Sequence, residues 1–178
     1  MTVKAKLMDQ AAMKRTLVRM AHEIVEKNDT VTELCFLGIH SRGVPLAQEL
    51  AENVSRFSEI KTLVGSVDIA LHRDDRKEVP PMESRTSVDF PLDGRVVILV
   101  DDVICTGRTI RAAMDALVSI GRPAKIQLAV LIDRGHRELP IRGDYVGKNV
   151  PTSHKERISV RVEQIDGDVG VYVCETDE

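Results

Sequence analysis

Apolar residues recur at helical spacing in some segments of the chain and form short uninterrupted runs in others. Met13, Leu17, Ala21 and Ile24 are three or four residues apart, which predicts a helix over residues 9–27 with these side chains facing the core. Apolar runs predict buried strands, and further helices follow two of them: strands at 34–39, 64–71, 95–101, 126–132, 158–162 and 169–174, and helices at 45–54 and 109–120. This alternation predicts an α/β fold with a mostly parallel central sheet flanked by helices.

The segment at residues 73–91 follows neither pattern. It is polar and contains three prolines. Irregular segments of this length inside a compact domain are usually lids or disordered, so we predict a flexible lid here. No repeat or linker interrupts the remaining chain, and we expect a single domain over residues 1–178.

The composition is that of an ordinary globular protein with an aliphatic core. Hydrophobic residues make up 43% of the 178 residues and aromatic residues only 3%. No apolar run approaches the roughly 20 residues that a membrane span requires, so we expect no membrane association. Cys35, Cys105 and Cys174 are odd in number and far apart, which disfavours a disulfide framework or a zinc site and predicts a cytoplasmic location.

The charge is unevenly distributed along the chain. The formal net charge is −3, yet residues 134–157 hold six basic residues and three acidic ones. Beyond residue 162 there are acidic residues and no lysine or arginine. A segregated basic surface can bind phosphate polymers even on an acidic protein.

The most informative pattern is an apolar strand that ends in two carboxylates and a small hydroxyl-rich loop. Residues 96–109 read VVILVDDVICTGRT, and the predicted helix begins at the end of this run. A helix N-terminus at the carboxyl end of a parallel strand offers backbone N–H groups and partial positive charge to a phosphate. Gly107 would let the backbone approach closely. Asp101 and Asp102 would suit sugar hydroxyls or a metal ion beside the phosphate.

This segment resembles the motif with which type I phosphoribosyltransferases bind 5-phosphoribosyl 1-diphosphate (PRPP). The resemblance implies the type I phosphoribosyltransferase fold, with Asp101 and Asp102 holding the ribose hydroxyls. It extends the binding segment through Val103, Ile104, Cys105, Thr106, Gly107, Arg108 and Thr109, of which the last five would wrap the 5′-phosphate. A second segment resembles the pyrophosphate loop of the family and consists of Ser41, Arg42 and Gly43. The catalytic residues would be Asp101, Asp102 and Arg42, with Mg²⁺ carried by PRPP near the two carboxylates rather than on dedicated protein ligands.

The residue before Thr106 bears on the choice of base. In hypoxanthine–guanine enzymes it is typically an aspartate that handles the purine N7 proton, and here it is Cys105, which disfavours a purine. Residues 131–153 read LIDRGHRELPIRGDYVGKNVPTS. This stretch resembles the signature of the bifunctional pyrimidine-operon attenuation regulators, which also have uracil phosphoribosyltransferase activity. Similar segments at 19–23, 69–75 and 118–123 extend the resemblance over nearly the whole chain.

The resemblance implies two activities. One is the conversion of uracil and PRPP to UMP and pyrophosphate, with Asp133 and Arg134 lining the base pocket. The other is binding of pyrimidine-gene leader mRNA under control of the uridine nucleotides UMP and UTP, by transcription attenuation or translational repression. Family members assemble as homodimers or larger homo-oligomers. The alternative is a phosphoribosyltransferase for orotate or a purine without RNA regulation.

An RNA-binding surface can be predicted on the first helix. Arg15, Arg19 and His22 are spaced i, i+4 and i+7, so they share a stripe opposite the apolar one. Val18 lies on the same helix where some relatives carry threonine. The resemblance to the regulators adds a second cluster from the basic segment: Arg137, Arg142 and Lys148.

Overall fold

A computed structural model describes residues 2–75 and 83–175 of the chain. In chain order the elements are β1 (Thr2–Met8), α1 (Gln10–Lys27), β2 (Glu33–Ile39), α2 (Gly43–Phe57), β3 (Lys61–Val67), β4 (Val96–Ile104), α3 (Arg108–Ile120), β5 (Lys125–Asp133), β6 (Tyr145–Asn149), β7 (Glu156–Arg161), α4 (Glu163–Asp166) and β8 (Gly170–Glu175). Five of the strands form the main sheet in the order β3-β2-β4-β5-β6.

All neighbouring strands of the main sheet are parallel, which confirms the predicted architecture. The central strand β4 pairs with β2 on one side and with β5 on the other. The carboxyl ends of β2, β4 and β5 therefore meet at one edge of the sheet, where ligands of open α/β sheets bind.

Helices cover both faces of the main sheet. The alternate residues Ile98 and Val100 of β4 pack with α1 and α2, whereas Val97 and Leu99 pack with α3. This two-residue period explains why the central strand is apolar along its length, since both of its faces are buried. The four residues predicted to be the apolar stripe of α1 are all buried.

A smaller antiparallel sheet, in the order β1-β8-β7, lies beside the main one. Val160, Val162 and Val171 of this region contribute to the same core as α1 and α2. The single turn of α4 lies between β7 and β8 and ends at Gly167, whose φ is 63°. Val162 and Val171, on either side of α4, are buried in this core, so both ends of α4 are attached to it.

The structure corrects one predicted strand and adds three elements. The strand predicted at 64–71 is displaced to Lys61–Val67. The chain turns after it because the carboxylate of Asp68 accepts hydrogen bonds from the N–H groups of Ala70 (3.0 Å) and Arg85 (3.2 Å). The sequence prediction missed three elements whose stability comes from pairing or packing rather than from an apolar pattern, namely β1, β6 and α4.

The predicted lid is described only in part, because residues 76–82 lie outside the described residues. On its N-terminal side, Asp74 forms an ion pair of 2.7 Å with Arg108. On its C-terminal side, Ser87 forms an isolated antiparallel bridge with Ser66 of β3. The closure of this segment over a ligand remains a prediction.

Candidate active site

Asp101 and Asp102 lie near the carboxyl end of the central strand β4. Asp101 is only 7% exposed, and its Oδ1 accepts a hydrogen bond of 2.9 Å from the N–H of Asp102. The Oδ1 of Asp102 accepts one of 2.8 Å from the N–H of Val103. The strand thus presents two adjacent carboxyl groups at the ligand-binding edge of the sheet.

Burial disfavours the ionised form of both carboxyl groups. The pKa of Asp101 is raised well above its usual value, first by burial and then by the neighbouring charge of Asp102. Burial also raises the pKa of Asp102, although hydrogen bonds and the positive charge of Arg42 oppose this effect. The repulsion between two adjacent carboxylates in a buried site would be reduced by a cation or by hydroxyl donors.

The loop at residues 105–109, here called the phosphate loop, connects β4 to α3. Gly107 adopts a left-handed φ of 93° immediately before the helix, a conformation that a residue with a side chain rarely adopts. The N-cap residue Gly107 has no side chain that could accept a hydrogen bond from the first turn, so N–H groups there remain suited to an anion. The side chain of Ile104 is in the core, so this residue could contact a ligand only through its backbone.

The side chain of Arg108 points to other protein groups. Its guanidinium donates to Asp74 at 2.7 Å and to Glu138 at 2.6 Å. Thr109 is exposed, and Thr106 uses its hydroxyl to accept from the N–H of Arg108 at 3.2 Å. These local contacts therefore fix the outer side of the phosphate loop.

Ser41, Arg42 and Gly43 lie between β2 and α2, next to the carboxylates. A Cβ atom at Gly43 would come within 2.4 Å of the carbonyl oxygen of Val100, so only glycine allows α2 to begin against the end of β4. Ser41 is exposed and follows a cis peptide bond from His40. The two segments that resemble PRPP-binding motifs are thus brought together, as the resemblance implies.

The side chain of Arg42 is held by a residue that the sequence did not indicate. Its Nε and Nη2 donate to the two carboxylate oxygens of Asp166 at 3.1 and 2.7 Å. This pairing raises the pKa of Arg42 and lowers that of Asp166. Asp166 belongs to the one-turn helix α4, and nothing in its local sequence distinguishes it from the other acidic residues near the end of the chain.

Asp133 is the last residue of β5 and Arg134 follows it, beside the phosphate loop. Asp133 is the ladder partner of Ile104. The carboxylate of Asp133 receives hydrogen bonds from Arg137 and from the N–H of Gly135 at 3.0 Å. Burial opposes ionisation of Asp133, but these bonds outweigh it and lower the pKa. Arg134 instead donates to Thr152 at 3.0 Å and to the carbonyl of Glu156 at 2.6 Å, so its guanidinium holds the segment that leads into β7.

The predicted RNA-binding residues occupy two separate places. Arg15, Arg19 and Lys148 line one groove of about 380 Å³ between α1 and β6. Within it, Arg19 donates to the carbonyl of Gly147 at 2.5 Å and to Glu23. His22 is exposed on the same helix and stacks on Phe57, with ring centroids 4.3 Å apart.

Arg137 and Arg142 line a different cavity of about 280 Å³, together with Asp133. Arg137 points inward: its Nη1 donates to the carbonyl of Cys105 at 2.7 Å, and its side chain is 22% exposed. The sequence analysis assigned Arg137 to the RNA surface. In the structure, its side chain instead donates hydrogen bonds to the phosphate loop and to Asp133.

The phosphoribosyl transferase domain family matches residues 5–163 of the chain. The chain belongs to this family. It is 55% identical over 177 residues to the "Bifunctional protein PyrR" of Clostridium novyi, covering 98% of this chain and 99% of the relative. It is 51% identical over 177 residues to the protein of the same name from Thermus aquaticus, covering 98% of both chains. The resemblance to the bifunctional regulators is thereby confirmed.

Solved structures confirm the type I phosphoribosyltransferase fold. A hypoxanthine-guanine phosphoribosyltransferase from Bacillus anthracis matches with a TM-score of 0.72 at 16% identity, over 99% of this chain and all of that one. The hypoxanthine phosphoribosyltransferase of Trypanosoma cruzi matches with a TM-score of 0.75 at 15% identity, covering 98% of both chains. At these identities the likeness concerns the fold alone.

Two further features are absent from the residues that the structure describes. The described residues contain no group of three or more His, Cys, Asp or Glu side chains that could hold a metal ion by themselves. Across the described ranges, none of the helices combines the length and the apolar character needed to cross a bilayer.

Proposed function

We propose that the chain catalyses the transfer of a phosphoribosyl group from PRPP to uracil, giving UMP and pyrophosphate. The observation that carries this proposal is the meeting of three groups at one sheet edge: the carboxyl pair of β4, the phosphate loop, and the Ser41–Gly43 segment that touches Val100. The resemblance of residues 131–153 to the pyrimidine regulators supplies the choice of uracil.

Each part of the site has a separate task in this proposal. The N–H groups at the start of α3 hold the 5′-phosphate, and Asp101 and Asp102 accept hydrogen bonds from the ribose hydroxyls. Arg42, fixed by Asp166, stabilises the negative charge of the departing pyrophosphate. Because the anomeric carbon becomes positively charged as pyrophosphate leaves, catalysis rests on positioning and electrostatics rather than on a protein nucleophile.

The carboxyl pair also fits Mg²⁺ bound together with PRPP. Mg²⁺ is commonly held by one or two carboxylates while substrate phosphates and water complete its shell. Asp101 and Asp102 provide two such groups, and burial is the main cause of their raised pKa values. When bound, the ion would neutralise the pyrophosphate.

We further propose that the groove lined by Arg15, Arg19 and Lys148 binds pyrimidine-gene leader mRNA and that uridine nucleotides control the affinity. His22, which is exposed on the same helix, and Arg142, which lines the separate cavity beside Asp133, would extend the RNA contact. Arginine guanidinium groups contact phosphates and stack on unpaired bases, which are the usual targets of specific RNA readers. Nucleotide at the active site and RNA would influence each other reciprocally if they favour the same state. We place this single-domain protein in the cytoplasm as a homo-oligomer, in keeping with its three free cysteines and its resemblance to the regulators.

A panel of bases tests the enzymatic proposal against its alternative. The protein is incubated with PRPP, Mg²⁺ and uracil, orotate, hypoxanthine or guanine, and nucleotide formation is measured. We expect UMP from uracil at the highest kcat/KM. Preferential use of orotate or a purine would support the alternative, and Cys105 in place of a carboxylate argues against the purines.

A further inference from the structure

The segment at residues 134–139 donates hydrogen bonds to three successive carbonyl groups, which run from the last residue of β4 into the phosphate loop. The N–H of Arg134 donates to the carbonyl of Ile104 at 3.1 Å. The N–H groups of Glu138 and Leu139 both donate to the carbonyl of Thr106 at 3.0 Å. Between these two carbonyls lies that of Cys105, which receives its hydrogen bond of 2.7 Å from the side chain of Arg137. Of the three carbonyls, only that of Cys105 receives this hydrogen bond from a side chain.

The direction of these carbonyl groups determines where the N–H groups of the phosphate loop point. A trans peptide unit is planar, and its C=O and N–H bonds point in opposite directions. When Arg137 draws the Cys105 carbonyl toward residues 134–139, the N–H of Thr106 is turned the other way. The contact therefore fixes one of the backbone donors that the loop offers to an anion.

The second terminal nitrogen of the Arg137 guanidinium binds a residue at the end of β5. Its Nη2 donates to Oδ2 of Asp133 at 2.5 Å, and Asp133 is the ladder partner of Ile104. Its Nε is buried without a hydrogen-bond partner among the described residues. Burying an unsatisfied donor is unfavourable for stability, and such departures are concentrated at functional sites.

We propose that Arg137 is a positioning residue for the phosphate loop and that it acts through the Cys105 carbonyl rather than by contacting RNA. The inference rests on the proposed function for the identity of the anion, a 5′-phosphate of ribose. It removes Arg137 from the RNA surface and leaves the groove of Arg15, Arg19 and Lys148 unchanged.

The test uses ribose 5-phosphate as a probe, because this molecule requires the phosphate loop and not a base. Binding is measured by calorimetry for the wild type, Arg137→Gln, Arg137→Lys and the control Arg157→Gln. Arg157 is an exposed arginine of the same basic segment, on β7. We expect about tenfold weaker binding for Arg137→Gln, as for the loss of a charged hydrogen bond, a smaller loss for Arg137→Lys, and none for Arg157→Gln.

Steady-state kinetics and RNA binding separate positioning from other roles. In Arg137→Gln the KM for PRPP should rise more than kcat falls, whereas general loosening of the fold would reduce the amount of active enzyme without changing the KM. Affinity for leader RNA without nucleotide, and its salt dependence, should match the wild type. Unchanged ribose 5-phosphate binding together with weaker RNA binding would make Arg137 an RNA contact and overturn the inference.

Two remaining outcomes are also decisive. If Arg137→Gln does not fold, Arg137→Lys decides, and a lysine variant with wild-type ribose 5-phosphate affinity overturns the inference. If the wild type binds ribose 5-phosphate but makes no UMP from uracil, and the variants bind the probe as expected, the choice of base fails while the role of Arg137 stands.

Discussion

Among single residues, some groups of the site destabilise the protein when no ligand is bound. Asp101 and Asp102 are buried side by side, and both have raised pKa values. Such an arrangement is unfavourable without a ligand and becomes favourable when hydroxyls or a cation arrive. Substitutions at this pair should therefore separate stability from activity.

Asp101→Asn should reduce kcat by about 10²-fold or more while raising the free energy of unfolding by roughly 1 kcal/mol. Asparagine keeps an acceptor for the N–H of Asp102 but removes the buried charge. The folded-state pKa of Asp101 lies above its unfolded value of 3.8, so the native state retains its proton where the unfolded chain has lost it. Wild-type stability should thus fall relative to the variant as pH rises from about 4 toward neutrality.

Thermal unfolding across pH 4–8, together with UMP formation at saturating uracil, checks both parts of this expectation. Wild-type turnover by Asp101→Asn would remove this carboxylate from the mechanism. A variant less stable than the wild type at pH 7 would contradict the stability argument.

Asp166→Asn should lower kcat/KM for PRPP by about tenfold, because Arg42 loses the charge that orients its guanidinium. Asp168→Asn provides a matched control, since Asp168 lies two residues away and pairs with Arg161 at 3.1 Å instead. Equal losses in the two variants would indicate a general effect on the small sheet rather than on Arg42. Initial rates at varied PRPP concentration measure the difference.

At the scale of elements, a buried polar network joins α1, β5 and β6. The hydroxyl of Tyr145 donates to Gln127 at 2.7 Å and accepts from Asn28 at 3.1 Å. All three side chains are almost fully buried, so each depends on the others for its hydrogen bonds. This network fixes the short strand β6 beside β5, although the apolar pattern of residues 145–149 did not predict a strand.

Tyr145→Phe should destabilise the fold by about 1–2 kcal/mol, because two buried amides lose a partner. Burial raises the pKa of Tyr145 to about 12, so above pH 10 the unfolded chain ionises this group while the native state does not. The wild-type advantage should therefore shrink between pH 10 and 12. Tyr172→Phe, which removes a part-buried hydrogen bond to Asp168 at 3.1 Å, should cost less, and urea unfolding compares the two.

Element boundaries were predicted well where the pattern was strong. The helix predicted at 9–27 is observed at Gln10–Lys27, and the one predicted at 109–120 at Arg108–Ile120. Both are amphipathic and packed on the sheet, so local pattern and tertiary packing agree. The strand predicted at 64–71 was displaced because Asp68 uses its carboxylate to turn the chain, which a count of apolar residues does not detect.

At the scale of the whole molecule, a protein of net charge −3 presents a local basic groove. Arg15 and Lys148 are far apart in sequence and meet because α1 packs against β6. In the proposed RNA complex, affinity would depend on this local arrangement more than on net charge.

Arg15→Ala and Lys148→Ala should each weaken leader RNA binding, and each should lower the slope of log affinity against log salt by about 0.7–0.9 if one phosphate contact is lost. Arg122→Ala, on the segment that follows α3, serves as the control. Filter binding over a range of salt concentrations measures the slopes. Wild-type slopes in both groove variants would place the RNA elsewhere.

The parallel α/β architecture, the carboxyl pair and the phosphate loop can all be located from the amino-acid sequence alone. These features are local: an apolar strand, two aspartates and a glycine before a helix follow one another within residues 96–109. Their relation to the Ser41–Gly43 segment was implied only by the resemblance to the phosphoribosyltransferases, and it agrees with the rule that the ends of parallel strands meet at one edge of a sheet.

The pairing of charges in the site, by contrast, could not be predicted from the sequence. Arg42 with Asp166, and Arg137 with both Asp133 and the Cys105 carbonyl, depend on how separate segments pack. The basic residues that appear as one cluster in sequence are divided because Arg137 points toward the phosphate loop while Lys148 lies in the groove beside α1. Side-chain direction follows from packing between elements, and a linear pattern contains no information about it.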